Sequence, residues 1–447
     1  MERGIIQMRS SIFSSKKVWI KCILTILVFI SICNLLNYLY VDYTFGNWEK
    51  RLWNDFYLYE KNIDNLFLGS SHVFNDLNPL VLDELNGKNN YNMASHSQKF
   101  NNSYYVLREV DKKHNLEHVY LEVYYLLSTG EIGEYWNTSQ LYFNWQNTDC
   151  MKPSWNRLEY KLTMCPPQNY PETFFKFLRY RDKLFDIDYI REQIEGKQTQ
   201  EYKNCTLNGQ YRSKGYYYST DETQPNELYT KDVVKLSEKP LTEDAEKYLR
   251  KIIEYCQKNG IQITLFSSPF HELLYYSVDN YDSYIAQINE IAKEYDIEYY
   301  DFNLCREEYL DIRDLDNYKD LGHLNAKGAE KFTRFFAEVM QKNAEENKKY
   351  FYSSLEEKYR ESNEKVLGIS SVSFDSDSWQ MEIESNMGED TEYRIVLKSE
   401  EGNSRVVQDF STNKTFLVPK NESGICMISV KKGNEDQVEM EMQINYD

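Results

Sequence analysis

A rhythm of strands and helices constrains this chain most. Short apolar runs at Asn65–Gly69, Tyr91–Ser95, His118–Tyr125, Ile261–Phe266 and Ile297–Phe302 alternate with stretches of helical periodicity. Strands that read as near-continuous apolar runs are buried on both faces, so the rhythm predicts a parallel sheet covered by helices. The helices carry their own signals. Thr242 can cap a helix whose first turn holds Glu243 and Asp244, both favourable at the positive end of the dipole. Ala245, Leu249, Ile252, Ile253 and Cys256 then form one apolar face, and Asn259-Gly260 stops it. Ile285, Ile288, Ala292 and Tyr295 stripe a second helix; Ala329, Phe332, Phe336, Val339 and Met340 stripe a third.

The rhythm breaks twice. Residues 126–240 carry Trp136, Trp145, Trp155, Pro166-Pro167 and a basic-aromatic run around Arg179 and Arg181. They read as an insertion over the sheet edge, partly helical around Phe174–Ile194. Cys150 and Cys165 can close a small loop or stand as separate buried thiols. The cysteines show no paired C-x-x-C spacing, so neither a zinc site nor any other metal is expected. Residues 346–364, rich in Lys, Glu, Arg and Tyr, read as a helical linker. From Lys365 the period changes to two, as in Trp379-Gln-Met381-Glu-Ile383 and Tyr393-Arg-Ile395-Val-Leu397. That pattern predicts a small antiparallel β-sandwich over 365–447, of immunoglobulin-like size.

Ahead of all this, residues 18–41 are apolar over a length that can cross a bilayer. Arg3, Arg9, Lys16, Lys17 and Lys21 lie before or at the start of the run. The positive-inside bias puts residues 1–17 in the cytoplasm and 42–345, with its insertion, outside the cell. No Ala precedes Ala94, so an A-x-A cleavage site is lacking and an uncleaved single-pass anchor in the cell membrane is expected. The net charge of -19 argues against a nucleic-acid partner, which needs a basic face. The 39 Tyr and 7 Trp suit sugar binding, and equally suit packing.

The chemistry-bearing residues fall at the carboxyl ends of strands, where reactive groups of open parallel sheets collect. Gly69-Ser70-Ser71-His72 follows the first strand, Met93-Ala94-Ser95-His96 the second, and Asp320-Leu-Gly-His323-Leu-Asn325 the last. Asp-x-x-His lets the carboxylate hold the imidazole on its δ nitrogen while the ε nitrogen faces a substrate, the base half of a Ser-His-Asp arrangement. A turn explains Gly-Ser-Ser alone, and a capped helix start explains Asp320 and His323 alone. The combination in this order points to a serine site of Ser71, His323 and Asp320.

In that order the blocks resemble the SGNH/GDSL hydrolase superfamily over roughly residues 60–345. Ser71 matches the nucleophile and Asp320-Leu-Gly-His323 the final block. The flavour is that of the membrane-anchored branch with alginate acetylation proteins and the D-alanine transfer protein of lipoteichoic acid synthesis. The resemblance implies a three-layer, flavodoxin-like α/β fold and no cofactor. It further implies an acyl-serine esterase or O-acyltransferase acting on a cell-surface glycan, with a membrane-bound acyltransferase as partner. Backbone amides of Ser71 and of Ala94 or Ser95 are the expected oxyanion donors. Where the family has Gly-x-Asn-Asp after the third strand, this chain reads Leu121-Glu122-Val123-Tyr124, with no Asn to complete the hole. The rival expectation is therefore an SGNH-fold glycan-binding or assembly protein without turnover. His72, Tyr124, Trp136 and Arg212 are candidate substrate contacts.

Overall fold

The structure is a computed structural model that describes residues 16–129, 138–231, 234–433 and 440–446. Trp136 and the segment before Lys16 lie outside them. The chain divides into two compact units, Met1–Asn54 with Asn144–Gly209, and Asp55–Phe143 with Gln210–Asp447. The expected insertion is thus not one piece. Residues 144–209 group with the N-terminal helix, whereas 210–240 belong with the sheet.

The first unit is built on helix α1 (Lys16–Tyr40). Its Val18–Tyr40 stretch is long and apolar enough to cross a membrane. In the 144–209 segment the centre is Asp149. It accepts from Arg179 at 2.7 Å and has Lys161 at 3.4 Å and Lys176 at 3.5 Å. Burial opposes its ionisation, but the three cations outweigh that and hold the carboxyl well below the usual range. The Arg179 guanidinium lies 4.2 Å from the Trp145 ring centre, and the Trp145 indole N–H donates to Thr173 Oγ1. Trp145 is therefore an interior residue of this unit. Cys150 and Cys165 are both free thiols.

In the second unit, β1 (Asn65–Leu68), β2 (Asn90–Asn92), β3 (His118–Glu122), β4 (Gln262–Ser267) and β5 (Glu298–Asp301) form one sheet in the order β2-β1-β3-β4-β5. Every pairing is parallel. β1, β2, β3 and β5 stop short of the ends of the apolar runs, whereas β4 runs on to Ser267. Around the sheet run helices α2 (Ser71–Asp76), α3 (Phe100–Asp111), α4 (Glu243–Lys258), α5 (Tyr281–Glu294) and α6 (Ala326–Met340). Phe67, Tyr120 and Phe266 project from one face onto Phe336 of α6, with ring centres 5.8, 5.4 and 5.3 Å apart. Burying such a ring is worth roughly 1.5–3 kcal/mol. Leu66, Leu68, Val119, Leu121 and Leu265 alternate to the opposite face and are fully buried. On that side α4 lies against β4 and packs on α3. Thr242 caps α4 by accepting the Ala245 N–H, as its position predicts.

A short hairpin of β6 (Tyr318–Asp320) and β7 (His323–Leu324) leads into α6. Beyond it come β8 (Val366–Ser373), β9 (Ser378–Ser385), β10 (Thr391–Ser399), β11 (Ser404–Ser411), β12 (Thr415–Pro419), β13 (Gly424–Lys432) and β14 (Met440–Tyr446). They form antiparallel sheets β12-β9-β8 and β11-β10-β13-β14. The first sheet gains a parallel strand, Tyr229–Thr230, beside β8. Met381, Ile383 and Val418 share one core with Ile395, Ile428 and Ile444, and Leu273 from outside the sheets enters it. The expected linker is no free tether. The Leu355 N–H donates to Asp282 Oδ1, and buried Lys358 donates to the Asn303 carbonyl.

Candidate active site

Ser71 owes its position to one turn. After β1, Gly69 takes φ +157°, and a Cβ there would stand 2.5 Å from both Glu122 Cβ and Val73 Cγ2. Only glycine lets the backbone pass so close to the end of β3. Ser70 then caps α2, its Oγ accepting the His72 N–H, and its own N–H donates to Glu122 Oε2 at 2.6 Å. Ser71 follows as the first residue of α2.

His323 and Asp320 pair across the β6–β7 hairpin, with Leu321-Gly322 as the turn. Asp320 Oδ1 lies 2.8 Å from His323 Nδ1 and also accepts the Gly322 N–H at 2.9 Å. His323 Nε2 lies 2.7 Å from Ser71 Oγ. Asp320, His323 and Ser71 thus form a continuous chain of hydrogen bonds across residues 252 apart. Burial lowers the His323 pKa below the ordinary imidazole value; Asp320 opposes the shift and the neighbouring His72 adds to it. A lowered value keeps Nε2 unprotonated, the form that can take a proton from a hydroxyl. Burial also works to raise the Asp320 carboxyl, but its hydrogen bond to His323 and nearby charges leave it lowered and ionised.

A second imidazole–carboxylate pair stands beside this chain. His72 Nδ1 lies 3.2 Å from Glu122 Oε1, and both residues are buried. The His72 ring centre is 4.8 Å from that of His323 and 4.3 Å from Tyr124, which meets it edge-on. Its Nε2 lies 3.5 Å from where a Cβ on Gly322 would stand, so it faces the Asp320–His323 turn. The structure therefore brings His72 and Tyr124 to the site. Glu122, the last residue of β3, stands one residue before the position where an Asn is lacking, and it holds the His72 imidazole beside the site.

Two expectations need correction. The Ala94 N–H donates to Asn92 Oδ1 at 2.9 Å, and the Ser95 N–H donates to the Gly69 carbonyl at 3.3 Å. The Ser95 amide ties the β2 end to the β1 end and the Ala94 amide closes onto the side chain of Asn92 in β2 itself, so both amides are already engaged. Arg212 is exposed and stacks its guanidinium 4.8 Å from the Tyr218 ring. His96 lies between the Phe74 and Phe143 rings. Buried His271 caps a short helix by accepting the Leu273 N–H, and its own N–H fixes the hairpin at the Leu321 carbonyl.

Asp76 carried no sequence signal. It is fully buried in α2, accepts the Leu324 N–H at 3.0 Å, and so anchors the residue next to His323. Burial pushes its carboxyl well above the usual range. Glu122 was visible only as a charged residue at the end of an apolar strand. The β1–β3 register, Leu68 opposite Leu121, is what sets Glu122 beside Gly69.

A protein-family model that carries no functional description matches residues 230–345. That stretch includes Asp320 and His323 but not Ser71. No curated protein matches the chain.

Proposed function

We propose that this chain is a membrane-anchored serine esterase or O-acyltransferase that handles acyl groups, acetyl in particular, on a cell-surface polysaccharide. One observation carries the reading: the Asp320–His323–Ser71 chain, with links of 2.8 and 2.7 Å. The strand order 2-1-3-4-5 is the flavodoxin-like one, with its switch point between β1 and β3. Ser71 follows β1 and Glu122 ends β3, which supports the SGNH-like reading. The apolar helix α1 supports an anchor, and the basic residues before it support a cytoplasmic N-terminus with the remainder outside.

In this mechanism His323 Nε2 takes the Ser71 proton as Oγ attacks the ester carbonyl. The tetrahedral intermediate collapses, the proton passes from His323 to the departing alkoxide, and the acyl group stays on Ser71. Water or a sugar hydroxyl then attacks the acyl-serine by the reverse sequence. With the Ala94 and Ser95 amides engaged, the donors left for the oxyanion are the Ser71 N–H and His72. In this role His72 presents Nε2–H to the oxyanion while the Glu122 carboxylate holds its Nδ1. On this account His72→Gln and Glu122→Gln each lower kcat by about 10²–10³-fold with KM nearly unchanged, the cost of one oxyanion donor. Steady-state kinetics on p-nitrophenyl acetate checks this, and a fall in KM-dependent binding alone would contradict it.

The test of the function uses the full chain in detergent or nanodiscs with p-nitrophenyl acetate, with and without surface-glycan oligosaccharides. Release of p-nitrophenol supports the esterase half-reaction, and acetylated oligosaccharide makes it a transferase. The second reading is a glycan-binding or assembly protein that partners a membrane acyltransferase. The engaged Ala94 and Ser95 amides favour it, and a folded chain without either product would establish it.

A further inference from the structure

We propose that residues 174–187 form a foot embedded in the membrane at the Tyr40 end of α1, its occupant the lipid of the bilayer itself. The inference rests on α1 being an anchor. From Trp19 to Ile32 every residue of α1 is exposed, which spans about 21 Å at ~1.5 Å per residue. A bilayer core is about 30 Å thick. Beyond that bare stretch the stripe Cys33, Leu36, Asn37 and Tyr40 becomes covered. Those positions fall at i, i+3, i+4 and i+7, one face of the helix. The covered part of the helix is therefore needed to complete the span, and whatever covers it shares its depth.

The covering chain is identified by its contacts. Tyr40 Oη donates to the Leu184 carbonyl, and the Phe177 N–H donates to Asn37 Oδ1. The Phe175 ring lies 5.9 Å from that of Phe29. From 184 to 175 the chain thus runs back along α1 from its end towards its middle. On its outer side it leaves large apolar side chains bare: Phe185 is 93% exposed, Ile187 65% and Phe174 41%. Of its charges, Arg179 pairs with buried Asp149, whereas Arg181 with Glu172 and Lys183 with Asp182 pair at the surface, and exposed Asp186 caps the next helix. Bare apolar side chains interleaved with surface charges suit a segment lying at the headgroup level of a bilayer.

The experiment places the photoreactive residue p-benzoyl-phenylalanine at position 174, 185 or 26 of the full chain. Each is reconstituted in phosphatidylcholine–phosphatidylglycerol nanodiscs and irradiated. Position 26 is a bare site within α1. Lipid adducts at 174 and 185 in a yield comparable to that at 26 are the expected result. Adducts at 26 with none at 174 and 185 overturn the foot. No adduct at 26 overturns the anchor, and the foot falls with it.

Discussion

His323→Ala lowers kcat for an acyl ester by about 10⁴–10⁶-fold, the range lost when a serine site loses its base. The expectation follows from Nε2 standing 2.7 Å from Ser71 Oγ with no other base in reach of that hydroxyl among the described contacts. His72 is the neighbour that could dilute the effect, but its Nδ1 is held by Glu122, and an Nε2 that donates to the oxyanion cannot also take the Ser71 proton. A loss of only about tenfold, roughly 1.4 kcal/mol, would mean that His72 serves as the base. The pH profile carries a second reading. Since His323 must be neutral to act, activity rises with pH through its pKa, and burial places that acid limb below the ordinary imidazole value. Asp320 raises the value against burial, so Asp320→Asn moves the acid limb further down while slowing the reaction. An acid limb that moves up in this variant would contradict the assignment of Asp320 as the partner of His323.

Gly69→Ala is the second large effect, and it acts on the fold. The new Cβ would stand 2.5 Å from Glu122 Cβ and Val73 Cγ2, at φ +157°. Neither neighbour can yield freely. Glu122 is fixed by the Ser70 N–H and His72, and Val73 is buried in α2. Overpacking together with backbone strain destabilises by about 3 kcal/mol. Urea unfolding of the full chain in detergent measures the loss, with Gly87→Ala as the comparison. Gly87 also has positive φ but meets nothing within 4 Å, so only the strain term of roughly 1–2 kcal/mol applies there. Equal losses at the two positions would mean that the close approach of β1 and β3 is wrong. Displacing Ser70 also displaces Ser71, so the folded fraction of Gly69→Ala loses activity as well.

The site was legible in sequence to the extent that strand–helix alternation dictates it. Parallel strands bring their carboxyl ends to one rim, which makes Ser71 and His323 neighbours without any knowledge of their separation. Asp320 needed only its local spacing, since a two-residue turn pairs it with His323. What sequence could not reveal depends on register and side-chain direction. The His72–Glu122 pair joins residues fifty apart and exists because Leu68 aligns with Leu121. The Ala94 amide was a candidate donor until Asn92 turned its side chain onto it. The Trp and Tyr residues of the 126–240 insertion read as its core rather than a sugar platform, but periodicity does not say which helix they cover. The charge-rich stretch before Lys365 read as a helical linker, and charge alone does not reveal that Lys358 is buried and donates to the Asn303 carbonyl.

Fluorophosphonate labelling of the full chain, with the modified residue located by mass spectrometry, tests the central claim most directly. The probe reacts with a serine only when a base activates it. The account predicts a single adduct on Ser71, absent in Ser71→Ala and strongly reduced in His323→Ala. Well-folded protein that takes no label, or takes it equally in Ser71→Ala, would contradict it.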